Sequence, residues 1–234
     1  MFEFLAKVLQ EFWIWLDGPY LQKISLFIAK GVGVTLQIYV VTLIFSIPIA
    51  IVCAIGKISR FKALRVMLGG YTWLFRGTPL LLQLMFFYYG LTALTNGWIQ
   101  FDPLTAALVA FVINYAAYFT EIFRSGIQSI GKGQYEAAKA LGMDSWQTMR
   151  RIILPQAVKV VLPPMGNEAI TLVKDTALCS VITVTEIMRN AQVLVSRDVK
   201  VQGFFVAALI YLAFTLIIIQ LFRLLEKRFA YYKN

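Results

Sequence analysis

The chain has 234 residues, of which 59% are hydrophobic and 15% charged, with a mean hydropathy of +0.72. The globular norm is about 45–50% apolar, so composition argues against a water-soluble domain and for a bilayer as solvent. A net charge of +10 does not indicate nucleic-acid binding, because Lys and Arg sit in short segments between apolar runs and no basic helix with interleaved aromatics occurs.

Residues 1–20 place Phe2, Leu5, Val8, Leu9, Phe12 and Leu16 at helical spacing, with Glu3, Lys7 and Glu11 between them. That pattern predicts an amphipathic interfacial helix, and the stretch lacks the layout of a signal peptide. Residues 25–230 form the membrane domain, in which apolar runs of about 20 residues predict five spans, near 31–55, 66–94, 104–123, 152–182 and 204–222. The fold class is therefore all-α. Pro48 is expected to kink the first span.

The second span carries a break at Arg76–Pro79, read as a helix end and restart with Thr78 as N-cap and Pro79 in the first helical position. Tyr88, Tyr89 and Trp98 near its outer end suit an interfacial aromatic belt. In the third span, Asn114 and Glu121 share a face with Ala117 or Tyr118. "GIQSIGKG" (126–133) nearly spells a phosphate-binding loop, but position 133 is glycine, which supplies no hydroxyl for magnesium, and the stretch follows a membrane helix instead of a strand.

Residues 134–155 interrupt the apolar runs with two short helices. Gly142 is placed to end the first in a left-handed conformation, while Asp144 and Gln147 form a capping box that opens the second. Ala138, Leu141, Ser145, Met149 and Ile152 recur at three or four residues, which predicts one small or apolar face suited to docking. Pro155 then stops that helix or begins the next.

In the fourth span, Glu168, Thr171, Asp175 and Leu178 are separated by three, four and three residues and fall on one helical face. Ionisable groups inside spans cost about 2.5–3.5 kcal/mol each on insertion scales, so they face a cavity or a partner. Asn114, Glu168, Thr171 and Asp175 are therefore the candidate substrate-binding residues. The alternative is structural: Glu168, Lys174 and Asp175 in salt bridges that hold two subunits together, and Asn114 bonded to a neighbouring helix. Arg76 would either pair with a buried carboxylate or attract one from a substrate.

Cys53 and Cys179 lie inside apolar runs, without metal-ligand spacing, and the chain has no histidine. Buried thiols are expected, with no metal site and no catalytic residues. Lys57, Arg60, Lys62 and Arg65 follow the first span, and Arg124, Lys132, Lys139, Arg150 and Arg151 follow the third. The C-terminus adds Arg223, Lys227, Arg228 and Lys233, whereas residues 95–103 hold no Lys or Arg. The excess marks the cytoplasmic side, which places the N-terminus outside and the C-terminus inside.

"EAAKALGMDSWQTMRRIILP" (136–155) resembles the EAA loop of bacterial ABC importer permeases, with Glu136, Ala137, Ala138, Gly142, Ile152, Leu154 and Pro155 at the family's spacing. "FRGTPLLLQL" (75–84), "NYAAYFTEIFRSGI" (114–127) and "GNEAITLVKDTAL" (166–178) resemble segments of the polar amino-acid permeases. The resemblance implies the type I importer fold in a bacterial inner membrane. It implies a homodimer or heterodimer of permease subunits, a pair of ATPase subunits and an extracytoplasmic solute-binding protein.

The same resemblance assigns the ATPase-coupling surface to Glu136, Ala137, Ala138, Leu141, Gly142, Met143, Ser145 and Met149. ATP and magnesium would bind the partner ATPase, with no cofactor on this chain. The function implied is alternating-access import of a polar amino acid. A proton-coupled secondary transporter using Glu121, Glu168 or Asp175 is the alternative, but no internal repeat of the kind such carriers show is visible.

Overall fold

The computed structural model describes residues 18–229, in which every regular element is helical. The helix expected over 1–20 therefore lies, up to residue 17, outside the described residues. Helix α1, Gly18–Ala29, leads into α2, Val32–Ile58; α3 is Lys62–Gly77 and α4 is Leu80–Leu94, with a π-helical turn at Phe86–Gly90. Next come α5, Pro103–Gln128; α6, Lys132–Ala140; and α7, Ser145–Thr148, which passes through a π-helical turn, Met149–Ile153, into α8, Leu154–Asp175. A 3₁₀ segment, Thr176–Ile182, precedes α9, Ile187–Asp198, and α10, Gln202–Phe229.

Among the described residues, three helical stretches are long and apolar enough to cross a membrane: Gly18–Ile58, Pro103–Gln128 and Gln202–Phe229. The pair α3 and α4, bent by 102°, makes a fourth if it counts as one span. The expectation of five exceeds this by α8, whose Lys159, Glu168, Lys174 and Asp175 dilute its hydropathy. It is nonetheless seated in the bundle, with Ala169, Leu172 and Val173 buried.

Helix α5 is the core of that bundle. Its Ala106, Ala107, Ala110 and Phe111 are fully buried, and they meet α2, whose Thr35, Ile38, Thr42, Ser46, Ala50 and Ala54 recur every three or four residues on one buried face. Small residues let the two backbones approach closely, which matters in lipid, where association relies on packing because the surrounding tails are as apolar as leucine. A second cluster joins α1 to α9 and α10 through Ile24, Ile28, Ile187, Ala191 and Val206.

The chain between the 3₁₀ segment and α9 also folds into the bundle. Thr183 turns it at φ 66, and Glu186, fully buried, accepts from the amides of Met188 and Arg189 and from the Tyr211 hydroxyl, each at 2.7 Å. Non-helical backbone at membrane depth is tolerated only when such partners exist. Gly31 makes room for it: a Cβ there would lie 2.4 Å from the Glu186 carbonyl carbon. Both cysteines are free, Cys179 buried and Cys53 partly so.

Candidate functional site

The break between α3 and α4 creates orphaned backbone groups that the sequence supplies partners for. Carbonyls in the last turn of α3 have no intrahelical amide. Asn114, buried on α5, donates from Nδ2 to the Phe75 carbonyl and to Gln83 Oε1, both at 2.9 Å. Gln83 Nε2 in turn donates to the carbonyls of Phe75 (3.0 Å) and Thr78 (3.1 Å) and to Thr78 Oγ1 (2.8 Å).

The expected cap is displaced by one residue. Thr78 is the C-terminal cap of α3, its hydroxyl donating to the Leu74 carbonyl at 2.8 Å, while Pro79, extended at ψ 134, precedes α4. The hydroxyl turns back to the helix it ends because Gln83 occupies its acceptor side.

Around this break lies a cavity of about 560 Å³. It is lined by Arg76–Leu81 from the broken helix, by Asn114, Tyr115 and Tyr118 from α5, and by Glu168, Thr171, Asp175 and Leu178 from α8 and the 3₁₀ segment. All four candidate substrate-binding residues thus line one cavity, together with Arg76. Among the described residues no ion pair within 4 Å joins Arg76, Glu168, Lys174 or Asp175 to another charge.

Asp175 accepts from the Tyr115 hydroxyl at 2.7 Å, the Arg76 guanidinium sits 5.3 Å from the Tyr118 ring centre, and the Thr171 hydroxyl donates to the Asn167 carbonyl at 3.1 Å. Asn114 meets the structural alternative and also borders the cavity. The first amides of α4, at Leu80 and Leu81, have no intrahelical acceptor and carry the positive end of a helix dipole.

Glu121, which shares its helix with Asn114, is not in this cavity; it is paired with Lys57 and with Arg124. Tyr115 and Gln83 are the residues that periodicity did not single out. Asn114 was legible as a polar residue in a span, but nothing in the local pattern tells that Gln83 is its partner.

The 134–155 segment forms the expected two short helices. Gly142 has φ +74; its amide donates to the Lys139 carbonyl and that of Met143 to the Ala138 carbonyl, each at 3.0 Å, the paired bonds of a Schellman ending. Asp144 Oδ1 accepts from the Gln147 amide at 2.8 Å and Gln147 Oε1 from the Asp144 amide at 3.2 Å, completing the capping box. Pro155 neither stops the second helix nor opens a separate one: it lies in the first turn of α8, which continues from α7 through the π-helical turn without a break.

The single apolar stripe does not survive, because the axis changes at Gly142. Ala138 is turned inward and buried, whereas Leu141 is 81% exposed. Glu136, Ala137, Gly142 and Ser145 are exposed and Met143 and Met149 half-buried. Tyr135 and Trp146, both exposed, extend the apolar surface beyond the residues expected.

The family of binding-protein-dependent transport system inner membrane components matches residues 46–231. The probable amino-acid ABC transporter permease protein YckA of Bacillus subtilis is 38% identical over 88% of this chain and 90% of its own. The arginine transport system permease protein ArtQ of the same organism is 41% identical over 86% of this chain and 92% of its own. A crystal structure of an amino acid ABC transporter with histidines superposes with a TM-score of 0.84 at 34% identity, covering 91% of this chain and 99% of that one.

Proposed function

This chain belongs to the binding-protein-dependent transport system inner membrane components, as an amino-acid ABC transporter permease of the type I fold, and on that premise we propose that it carries a polar amino acid through the Arg76–Asp175 cavity by ATP-driven alternating access. One observation carries the reading: a guanidinium, the residues that open a helix and two carboxylates line a single cavity of about 560 Å³. A zwitterion presents the complementary pair of charges. Its carboxylate is held by Arg76 and the opening amides of α4, and its ammonium by Asp175 and Glu168, with Thr171 and Asn114 contributing polar contacts.

Two carboxylates against one guanidinium also set the site against substrates with a net negative charge, because the side-chain carboxylate would meet acid without a counter-ion. Aspartate and glutamate are therefore expected to compete for uptake roughly tenfold less well than glutamine, a difference of about 1.4 kcal/mol.

Energy arrives through the knuckle at residues 134–155. Its exposed Leu141, Trp146, Glu136 and Ala137 seat against an ATPase subunit on the cytoplasmic face, and closure of the ATPase pair is transmitted to the bundle through the continuous run from Ser145 into α8. A second permease subunit and an extracytoplasmic solute-binding protein complete the assembly, with the N-terminus outside and the C-terminus cytoplasmic. The chain supplies no hydrolytic chemistry; ATP and magnesium belong to the ATPase.

Proteoliposomes containing the assembled complex test this with a panel of twenty amino acids. Uptake that requires ATP and persists without a proton gradient supports the importer. Uptake driven by a proton gradient alone supports the secondary carrier and overturns it.

A further inference from the structure

A second polar cavity adjoins the first, on the side of the knuckle. About 470 Å³ in volume, it is lined by Lys57, Gly69, Thr72, Trp73 and Glu121, and it shares Arg76 and Gly77 with the Arg76–Asp175 cavity. The topology fixes which end of the bundle this is. Lys57 is in the last turn of α2, and Glu121 lies on α5 three residues beyond Tyr118, a rise of about 4.5 Å toward the α5–α6 turn and the knuckle. An amino acid leaving the upper cavity toward the knuckle would cross Arg76 and Gly77 and enter this space.

An ion cluster lines that space. The Lys57 ammonium pairs with Glu121 and donates to Thr72 Oγ1 at 2.6 Å, while Arg124 Nε donates to the other Glu121 oxygen at 2.8 Å. The Lys57 and Glu121 side chains are each only 13% exposed, and the cluster ties α2, α3 and α5 together at one level. Such a pair is costly to pull apart in isolation, since Lys57 would be left half-desolvated without a counter-ion and Glu121 would keep only the more exposed Arg124. A zwitterion removes that obstacle by offering a carboxylate to Lys57 and an ammonium to Glu121 as the pair opens.

We propose that Lys57 and Glu121 form the cytoplasmic release gate of this permease, closed as an ion pair and opened by exchange with the charges of the departing amino acid. The proposal rests on the amino-acid reading of the upper cavity and adds the route and the residues that control exit. They position helices and bar the path; they perform no chemistry.

The test uses the complete complex in proteoliposomes, with whichever of the twenty amino acids the wild type moves fastest as radiolabelled probe. Lys57→Gln and Glu121→Gln are expected to raise ATP-independent efflux of preloaded probe at least roughly tenfold and to lower the amount transported per ATP hydrolysed, while Lys57→Arg, which keeps the charge on a differently shaped head, leaks less than Lys57→Gln. Thr72→Val keeps both charges and the side-chain shape but removes the hydroxyl that holds Lys57, so it should leak by a smaller factor and tests the gate even if the neutral variants fail to assemble.

A purely structural ion pair would change yield or thermal stability and leave transport per ATP untouched. Wild-type efflux and wild-type coupling in every variant that co-purifies with the ATPase overturn the gate. A wild-type complex that moves none of the twenty amino acids overturns the reading of the upper cavity instead, so the two failures are distinguishable.

Discussion

In the Arg76–Asp175 cavity, the bonds that tie the helices together come from far along the chain: Asn114 bonds Phe75 across 39 residues and Gln83 across 31, and Tyr115 reaches Asp175 across 60. In the knuckle, the bonds that shape the turn at Gly142 and the start of α7 close within five residues. The cavity exists only once the bundle has assembled, whereas the knuckle is built from local rules and attached to it. On the proposed reading one region recognises and the other transmits, so a lesion in either should leave the other's task measurable.

The largest separation between the two is expected from Asp175→Asn. Losing a charge-assisted contact to the substrate ammonium costs about 2 kcal/mol, roughly thirtyfold in the KM of uptake. Co-purification of the ATPase subunits should be unchanged, since no knuckle residue touches Asp175.

Gly142→Val attacks the other region. Open space surrounds Gly142, so the penalty is conformational, about 1–2 kcal/mol for a β-branched residue in the left-handed region. Uptake should fall roughly tenfold at an unaltered KM while ATP hydrolysis continues. Normal uptake by this variant would break the assignment of the knuckle as the force-receiving element.

Asp144→Ala removes the cap of α7 and half of the capping box, at about 1 kcal/mol. The expected loss of maximal uptake is smaller, roughly fivefold, again without a change in KM. A rise in KM here would mean that the two regions are not separable in the way their contacts suggest.

That division also explains what the sequence could reveal. The capping box at Asp144–Gln147 and the left-handed Gly142 are local, so residue type and spacing were sufficient. The stripe Glu168–Thr171–Asp175 was legible for the same reason, as one face of a single helix. Its sharing a cavity with Arg76 was not, because that depends on a 102° bend between α3 and α4 that no periodicity encodes.

Gln83 in the α4 first turn and Tyr115 beside Asn114 are ordinary in a pattern of apolar and polar positions. They become informative only when the partner helix is in place. Helix α9 and the buried Glu186 that caps it escaped for a related reason: a short amphipathic helix after an irregular segment does not resemble a span. The Lys57–Glu121 pair, 64 residues apart in sequence, was invisible from either side.

The central claim is that a zwitterion sits between Arg76 and Asp175. A structure of the assembled complex determined with a transported amino acid bound measures it directly. The account predicts ligand density in the cavity at the α3–α4 break, with the carboxylate toward Arg76 and the ammonium toward Asp175 and Glu168. Density for the amino acid elsewhere in the membrane domain, with that cavity filled only by water, would contradict it.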